Sequence, residues 1–78
     1  MYIVMEIQTN SEGVVSTILN QYEALNLAEN KFYQIMAAAS ISSVPVHTAC
    51  ILTDKGALLR TDSYQHINGE TIHENIVL

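Results

Sequence analysis

The sequence predicts an α+β fold, in which one helix covers one face of a four-stranded antiparallel sheet in the order ββαββ. Three observations predict this class. Short segments near the start and in the second half of the chain are rich in β-branched residues. Two of the turns between such segments contain glycine, and one central segment has helical periodicity. The alternative is βαββ, with residues 14–22 irregular, and the strand order stays open.

The N-terminal segment predicts a β-hairpin. In residues 2–9, the apolar side chains of Ile3, Met5 and Ile7 alternate with other residues, which is typical of a strand. Residues 14–22 form the predicted second strand. Gly13 can adopt the left-handed conformation that ends a three-residue loop over residues 11–13. This loop length places Met5 opposite Leu19.

The register divides the hairpin into two faces. One face is apolar at nearly every position and is predicted to lie against the helix: Ile3, Met5, Ile7, Val15 and Leu19. The other face is mixed, with more apolar residues than a solvated face needs. Because tyrosine is enriched at protein interfaces, we predict self-association through four residues of this face: Tyr2, Val4, Ile18 and Tyr22.

The central segment predicts a helix over residues 27–42. Asn26 is a good N-cap, and Glu29 three positions later completes a capping box. Five residues share one side of the helical wheel and predict its buried face: Ala28, Phe32, Ile35, Met36 and Ala39. Pro45 follows the helix and prevents its continuation.

The second half predicts another hairpin. Strands over residues 46–53 and 57–64 flank a turn at residues 54–56, which contains Gly56. Residues 1–66 therefore form one domain. For the tail, residues 67–78, the sequence leaves two interpretations open, disorder or an added edge strand.

The composition favours self-association. The chain has 78 residues, of which 49% are hydrophobic and 14% charged. A chain this short buries about 60% of its unfolded surface, and small domains usually need a disulfide, a metal or a partner. Cys50 is the single cysteine and cannot pair within the chain. We therefore predict a homo-oligomer, most simply a two-fold dimer.

The charge balance excludes several partners. The formal net charge is −5, and Lys31, Lys55 and Arg60 are the only basic residues besides the histidines. Phosphate neutralisation dominates nucleic-acid affinity, so neither nucleic acid nor an anionic membrane is an expected partner. No basic segment followed by an apolar run marks an export signal, which predicts a cytoplasmic protein.

No residue pattern predicts catalysis, a cofactor or a metal site. His47 and Cys50 are three residues apart, and in a strand this spacing puts them on opposite faces. His66 and His73 lie in or near the tail, and the carboxylates are scattered. Cys50 sits in an apolar run of an acidic chain, which predicts a buried, inert thiol. We therefore expect a protein that is not an enzyme.

Several elements between residues 2 and 66 resemble a family of small uncharacterised proteins encoded by bacteriophages and prophages of gut Firmicutes. The family has no known activity. The resemblance implies a phage-associated context, in the host cytoplasm or with the virion. The elements that carry it are Glu6-Ile7-Gln8, the Gly13 turn, Asn26-x-x-Glu29, Ala37 to Ala39, Pro45-x-His47 and Tyr64-x-His66.

The chain begins with a strand, a glycine turn, a second strand and an amphipathic helix. This order is similar to that of HicB-like antitoxins. Those proteins carry a Pro-Gly-Cys type segment before the helix, and residues 20–26 contain none of these three residues. The expected function is therefore a non-enzymatic module that binds itself or another phage or host protein. The alternative is an antitoxin-like inhibitor of a small toxin.

Overall fold

The computed structural model describes residues 1–77 and consists of five strands and one helix. The strands form one antiparallel sheet in the order β2-β1-β3-β4-β5, and the helix lies on one of its faces. The predicted α+β class is confirmed. The elements are β1 (Tyr2–Thr9), β2 (Val15–Tyr22), α1 (Leu25–Ser40), β3 (Val46–Thr53), β4 (Leu58–Ile67) and β5 (Glu70–Val77).

The predicted count of four strands is wrong, because most of the predicted tail forms a fifth strand. β4 continues to Ile67, and β5 pairs with it from Glu70 onward. Asn68 and Gly69 form the link, with φ of 52° and 78°. Two consecutive positive φ values make a type I′ turn, whose twist matches that of the flanking strands. Leu78, the last residue of the predicted tail, lies outside the described residues.

The two hairpins join through β1 and β3. Met5 lies between Leu19 of β2 and Cys50 of β3, and both pairings run without interruption over eight residues. The register of the first hairpin agrees with the prediction. β3 is therefore the central strand, and β2 and β5 are the two edges of the sheet.

The two faces of the first hairpin are the reverse of the prediction. Val4 is fully buried beneath α1, and Tyr2 and Tyr22 pack against the same core. The predicted core residues of this hairpin, such as Met5, lie on the opposite face. Strand periodicity sorts side chains into two sets, but both sets on β1 are partly apolar. The pattern therefore does not decide which set the helix covers.

The helix starts two residues earlier than predicted. Ala24 is the N-cap, with an extended backbone and no side-chain cap hydrogen bond, so the capping box of Asn26 and Glu29 is not formed. The link after β2 is only two residues long, residues 23–24, which leaves Asn26 inside the first turn. The buried face agrees with the prediction: Ala28, Phe32, Ile35, Met36 and Ala39.

Candidate interaction surface

The open face of the sheet, opposite α1, carries a continuous apolar patch. The patch comes from alternate residues of β2, β1 and β3. Leu19 and Val15 are 62% and 59% exposed, and their neighbours on β1 and β3 are half-buried. We call this surface the apolar patch and define it by seven residues: Ile3, Met5, Ile7, Val15, Leu19, Val46 and Leu52.

The patch ends where the sheet becomes polar. On β4, the open face carries Thr61, Ser63 and Gln65, and Glu74 of β5 lies beside Ser63. The β5 side of the same face is mixed, because Ile67 of β4 and Ile72 of β5 also lie on it, 44% and 41% exposed. The apolar patch therefore occupies the β2 side of the molecule, and the polar residues of β4 separate it from Ile72.

The apolar patch carries no charge, although the chain is strongly acidic. β1, β2 and β3 contain one carboxylate, Glu6, and it lies on the helix face. Glu12 and Asp54 lie in the turns, and Glu29 lies on the helix. No carboxylate of these strands therefore lies on the patch, and Glu6 and Glu29 lie on the opposite side of the sheet.

The patch is of moderate size. Adjacent strands lie roughly 4.8 Å apart and rise roughly 3.3 Å per residue, so the whole open face of these three eight-residue strands measures about 380 Å². The apolar patch is most of this face, whose polar positions are Thr9, Thr17, Gln21 and Thr48. The largest apolar patch on a typical monomer measures about 300–600 Å² and is often functional. This area is sufficient for a weak contact surface.

The four residues predicted for self-association fall into two groups. Val4 is buried, and Tyr2 and Tyr22 pack on the core, so the surface inferred from the sequence is not an exposed face. Ile18 is 53% exposed, beyond the reach of the helix near the outer edge of the sheet. Five of the seven patch residues were grouped together from the sequence and assigned to the core, while Val46 and Leu52 of β3 were not in that group.

A buried polar pair occupies the helix face of β1 and β3. His47 Nε2 donates to Glu6 Oε2 at 2.6 Å, and Gln8 Nε2 donates to the same oxygen at 3.0 Å. His47 Nδ1 is buried without a partner among the described residues. A small open cavity of about 110 Å³ borders Glu6 and Gln8, with Ser16 and Ile18 on its other side.

A second polar cluster links β4 to β5 on the helix face. Asp62 is buried, and its two oxygens accept hydrogen bonds from His73 Nε2 at 2.5 Å and Asn75 Nδ2 at 2.8 Å. The His73 ring stacks on Tyr64 with the ring centroids 4.3 Å apart. Each Asp62 oxygen accepts a hydrogen bond from β5, so the cluster joins the two strands.

The structure separates the candidate metal ligands. His47 lies on the helix face of β3, while Cys50 lies on the open face with Sγ 3.6 Å from Thr61 Oγ1. His66 contacts the Ala39 carbonyl oxygen through Nε2 at 2.9 Å, at the end of α1. Among residues 1–77, no group of three or more histidine, cysteine, aspartate or glutamate side chains could hold a metal ion.

No helix in the described part of the chain is long and apolar enough to cross a membrane. The chain matches no family model, and neither a curated protein nor a solved structure matches it. The surfaces and clusters of the fold are therefore the basis on which a function can be proposed.

Proposed function

We propose that this protein is a non-enzymatic, self-associating module, and that the apolar patch of its open face contacts the same patch of a second copy. The observation that supports the proposal is an uncharged three-strand surface with one face of the sheet left uncovered. Two sheets pack face to face about 10 Å apart, which would bury Leu19 and Val15.

A second copy suits this surface because of its charge. A two-fold contact places each patch residue near the same patch on the other copy, and like charges there would repel. Each copy has a net charge of −5, yet the patch is neutral. Self-contact is therefore compatible with the patch, while the rest of the acidic surface disfavours unspecific association.

The polar clusters support a structural role for the groups that could do chemistry. The carboxylates of Glu6 and Asp62 accept hydrogen bonds from neighbouring strands, and the Cys50 thiol is buried. A general base needs access to a substrate proton, and a reactive thiol needs an exposed, electropositive setting. Glu6 instead connects β1 to β3, Asp62 connects β4 to β5, and the Cys50 thiol contacts Thr61 of β4.

The phage-associated context rests on the sequence resemblance alone and stays a prediction. The genes that flank this one provide its test, since virion structural genes nearby would support it. A neighbouring gene for a small basic protein would instead favour the antitoxin-like alternative.

Light scattering coupled to size exclusion tests the proposed contact. We expect Met5→Lys, at the centre of the patch, to halve the mass of the assembly. Leu27→Lys is the matched control, because Leu27 is 53% exposed on α1 and lies outside the patch. We expect this control to keep the wild-type mass.

Val15→Lys is a second patch variant, chosen so that a fall in mass is not due to unfolding. Val15 is already 59% exposed, so a charge there should not disturb the fold. Its far-ultraviolet circular dichroism should match the wild type while its mass falls. A wild-type chain that stays monomeric at about 1 mM would have a Kd for self-association above about 1 mM. This result would contradict the proposal. So would wild-type mass in both patch variants.

A further inference from the structure

The outer edge of β2 is an unprotected pairing surface. Within the described residues β2 hydrogen-bonds to β1 alone, and its residues from Val15 to Leu19 are exposed. Its eight residues, Val15–Tyr22, include no charge, proline or glycine, and its register with β1 has no bulge. Natural proteins usually block such edges with charges, prolines or bulges, because unpaired backbone groups recruit another strand.

The opposite edge of the sheet shows the usual protection. β5 carries Glu70, His73 and Glu74 within its eight residues. Charged side chains on an edge discourage pairing with another strand. Of the two edges of this sheet, β2 is therefore the one whose sequence permits pairing with another strand.

We propose that β2 pairs antiparallel with β2 of a second copy, which joins two five-stranded sheets into one of ten strands. This is a second contact, distinct from the stacking of apolar patches proposed above, and it does not depend on that stacking. The occupant is a second copy because an uncharged strand can face itself without bringing acidic groups together. Glu12 and Glu23 flank β2 at its two ends.

Symmetry determines how the faces align. Antiparallel strands related by a two-fold axis must have that axis perpendicular to the sheet, because an axis along the strands would make them parallel. The rotation keeps each face on its own side. Both helices then lie on one side of the ten-stranded sheet, and both apolar patches lie on the other.

The phase of the β1–β2 ladder identifies the outward backbone groups. The Asn10 N–H donates to the Val14 carbonyl oxygen at 3.0 Å, and hydrogen-bonded pairs alternate along an antiparallel ladder. Even-numbered residues of β2 therefore bond to β1. The residues that direct N–H and C=O groups outward are Val15, Thr17, Leu19 and Gln21.

One register uses every outward group of β2. With the axis at Ile18, Thr17 pairs with Leu19 of the other copy and Val15 pairs with Gln21 of the other copy. The two Ile18 side chains then meet in a non-hydrogen-bonded pair, where side chains approach most closely. Glu23 lies level with Gly13 of the other copy, so no carboxylate faces another across the new ladder.

The pairing enlarges the proposed contact surface. Two three-strand faces with a flat area of about 380 Å² each become one continuous face of about 760 Å², of the same order as the roughly 800 Å² of accessible surface that each partner contributes to a standard interface. If the patches also stack as proposed, two ten-stranded sheets form a four-copy sandwich with the helices outside. This last step rests on the proposed function.

Charge exchange at the axis tests the register. We expect Ile18→Lys and Ile18→Glu, each alone, to weaken edge pairing about tenfold or more, because two like charges face each other across the axis. An equimolar mixture should restore pairing as a mixed species, measured by native mass spectrometry. Within each chain, position 18 lies opposite Glu6 in both variants, and mixing the two variants does not change that contact. Pairing that returns in the mixture therefore reports the contact between the two copies.

A proline pair tests the edge itself. Thr17→Pro removes an outward N–H and spares the bonds to β1, so we expect loss of edge pairing with the circular dichroism spectrum unchanged. Thr71→Pro is the control on β5, since the type I′ turn makes Ile67 and Glu70 a bonded pair and directs the Thr71 N–H outward. We expect this control to keep the wild-type mass.

The outcomes separate the two contacts. We expect Ile18→Lys to leave patch-stacked pairs, Met5→Lys to leave edge-paired pairs, and the double variant to be monomeric. An unchanged mass in both Ile18→Lys and Thr17→Pro would overturn the edge proposal. If Met5→Lys keeps the wild-type mass while Ile18→Lys lowers it, the patch proposal is overturned and the edge pairing still holds.

Discussion

At the scale of single residues, the buried polar side chains keep their hydrogen-bond partners. Asp62 and His47 are the two polar residues that are buried in the described part of the chain. Each is bonded to a neighbouring strand, Asp62 to β5 and His47 to Glu6 of β1. A buried group that loses its partner bears the full cost of desolvation. We therefore expect such positions to be sensitive to substitution.

Asp62→Ala should destabilise the protein by about 1–3 kcal/mol, because it removes the two hydrogen bonds to a charged acceptor that tie β5 to β4, while the exposed donors His73 Nε2 and Asn75 Nδ2 turn to water. Urea denaturation measures the change. Asp54→Ala, in the exposed turn after β3, is the control and should change stability by less than about 0.5 kcal/mol. Equal effects of the two substitutions would contradict the assigned role of Asp62.

Phe32→Ala should cost about 3–5 kcal/mol, since Phe32 is among the largest fully buried side chains and leaves a cavity between helix and sheet. Leu27→Ala, on the exposed side of α1, should cost less than about 1 kcal/mol. Thermal unfolding followed by circular dichroism compares the two. A Phe32→Ala variant with wild-type stability would disprove the assigned core.

At the scale of elements, the helix is the least well capped part of the fold. The Ala24 N-cap offers no side-chain acceptor, the first turn contains no acidic residue, and the last turn contains no basic residue. Helix α1 therefore depends on packing of its buried face, and Arg60 of β4 assists by bonding Tyr33 and lying 3.4 Å from Glu29. The turns are better supported, because Asn10 Oδ1 accepts from two backbone N–H groups.

Ala24→Asp should stabilise the protein by about 0.5–2 kcal/mol, because the new carboxylate can accept an orphan N–H of the first turn and complement the helix dipole. Ala24→Ser should give a smaller gain of the same sign. Ala38→Asp, exposed in the last turn, is the control and should be neutral or destabilising. A loss of stability in Ala24→Asp would show that the extended N-cap geometry is wrong.

At the scale of the whole molecule, the proposed assembly is linked to burial. One helix covers one face of a five-stranded sheet, and within the described residues the other face and both edges are uncovered. Association stabilises a folded chain by mass action. The stability of this protein should therefore depend on its concentration.

The melting temperature should rise by several degrees between about 5 and 500 μM chain, because assembly favours the folded state. Scanning fluorimetry with an external dye or calorimetry measures it, since the chain has no tryptophan. The Met5→Lys, Ile18→Lys double variant is the control and should melt at one temperature throughout the range. A concentration-independent wild type would contradict self-association.

Local patterns predicted most of the elements and part of the candidate surface. The Gly13 loop set the pairing of Met5 with Leu19, and the 3.6-residue period identified Phe32 and its neighbours as buried. The fifth strand stayed one of two open interpretations of the tail, because residues 70–77 mix charged and apolar residues, as edge strands do. Ile18 was predicted to belong to a self-associating face, and the structure shows that it lies on β2, an edge strand of the sheet.

By itself, the sequence determined the α+β class, the two glycine turns, the helix face and the division of β1 into two alternating sets, because turn chemistry and periodicity act over a few residues. Only the tertiary structure decided that α1 covers Val4 and leaves Met5 open, and that β1 lies between β2 and β3. Both decisions depend on contacts between residues distant in the chain. When both faces of a strand carry apolar residues, alternation does not specify which face the helix covers.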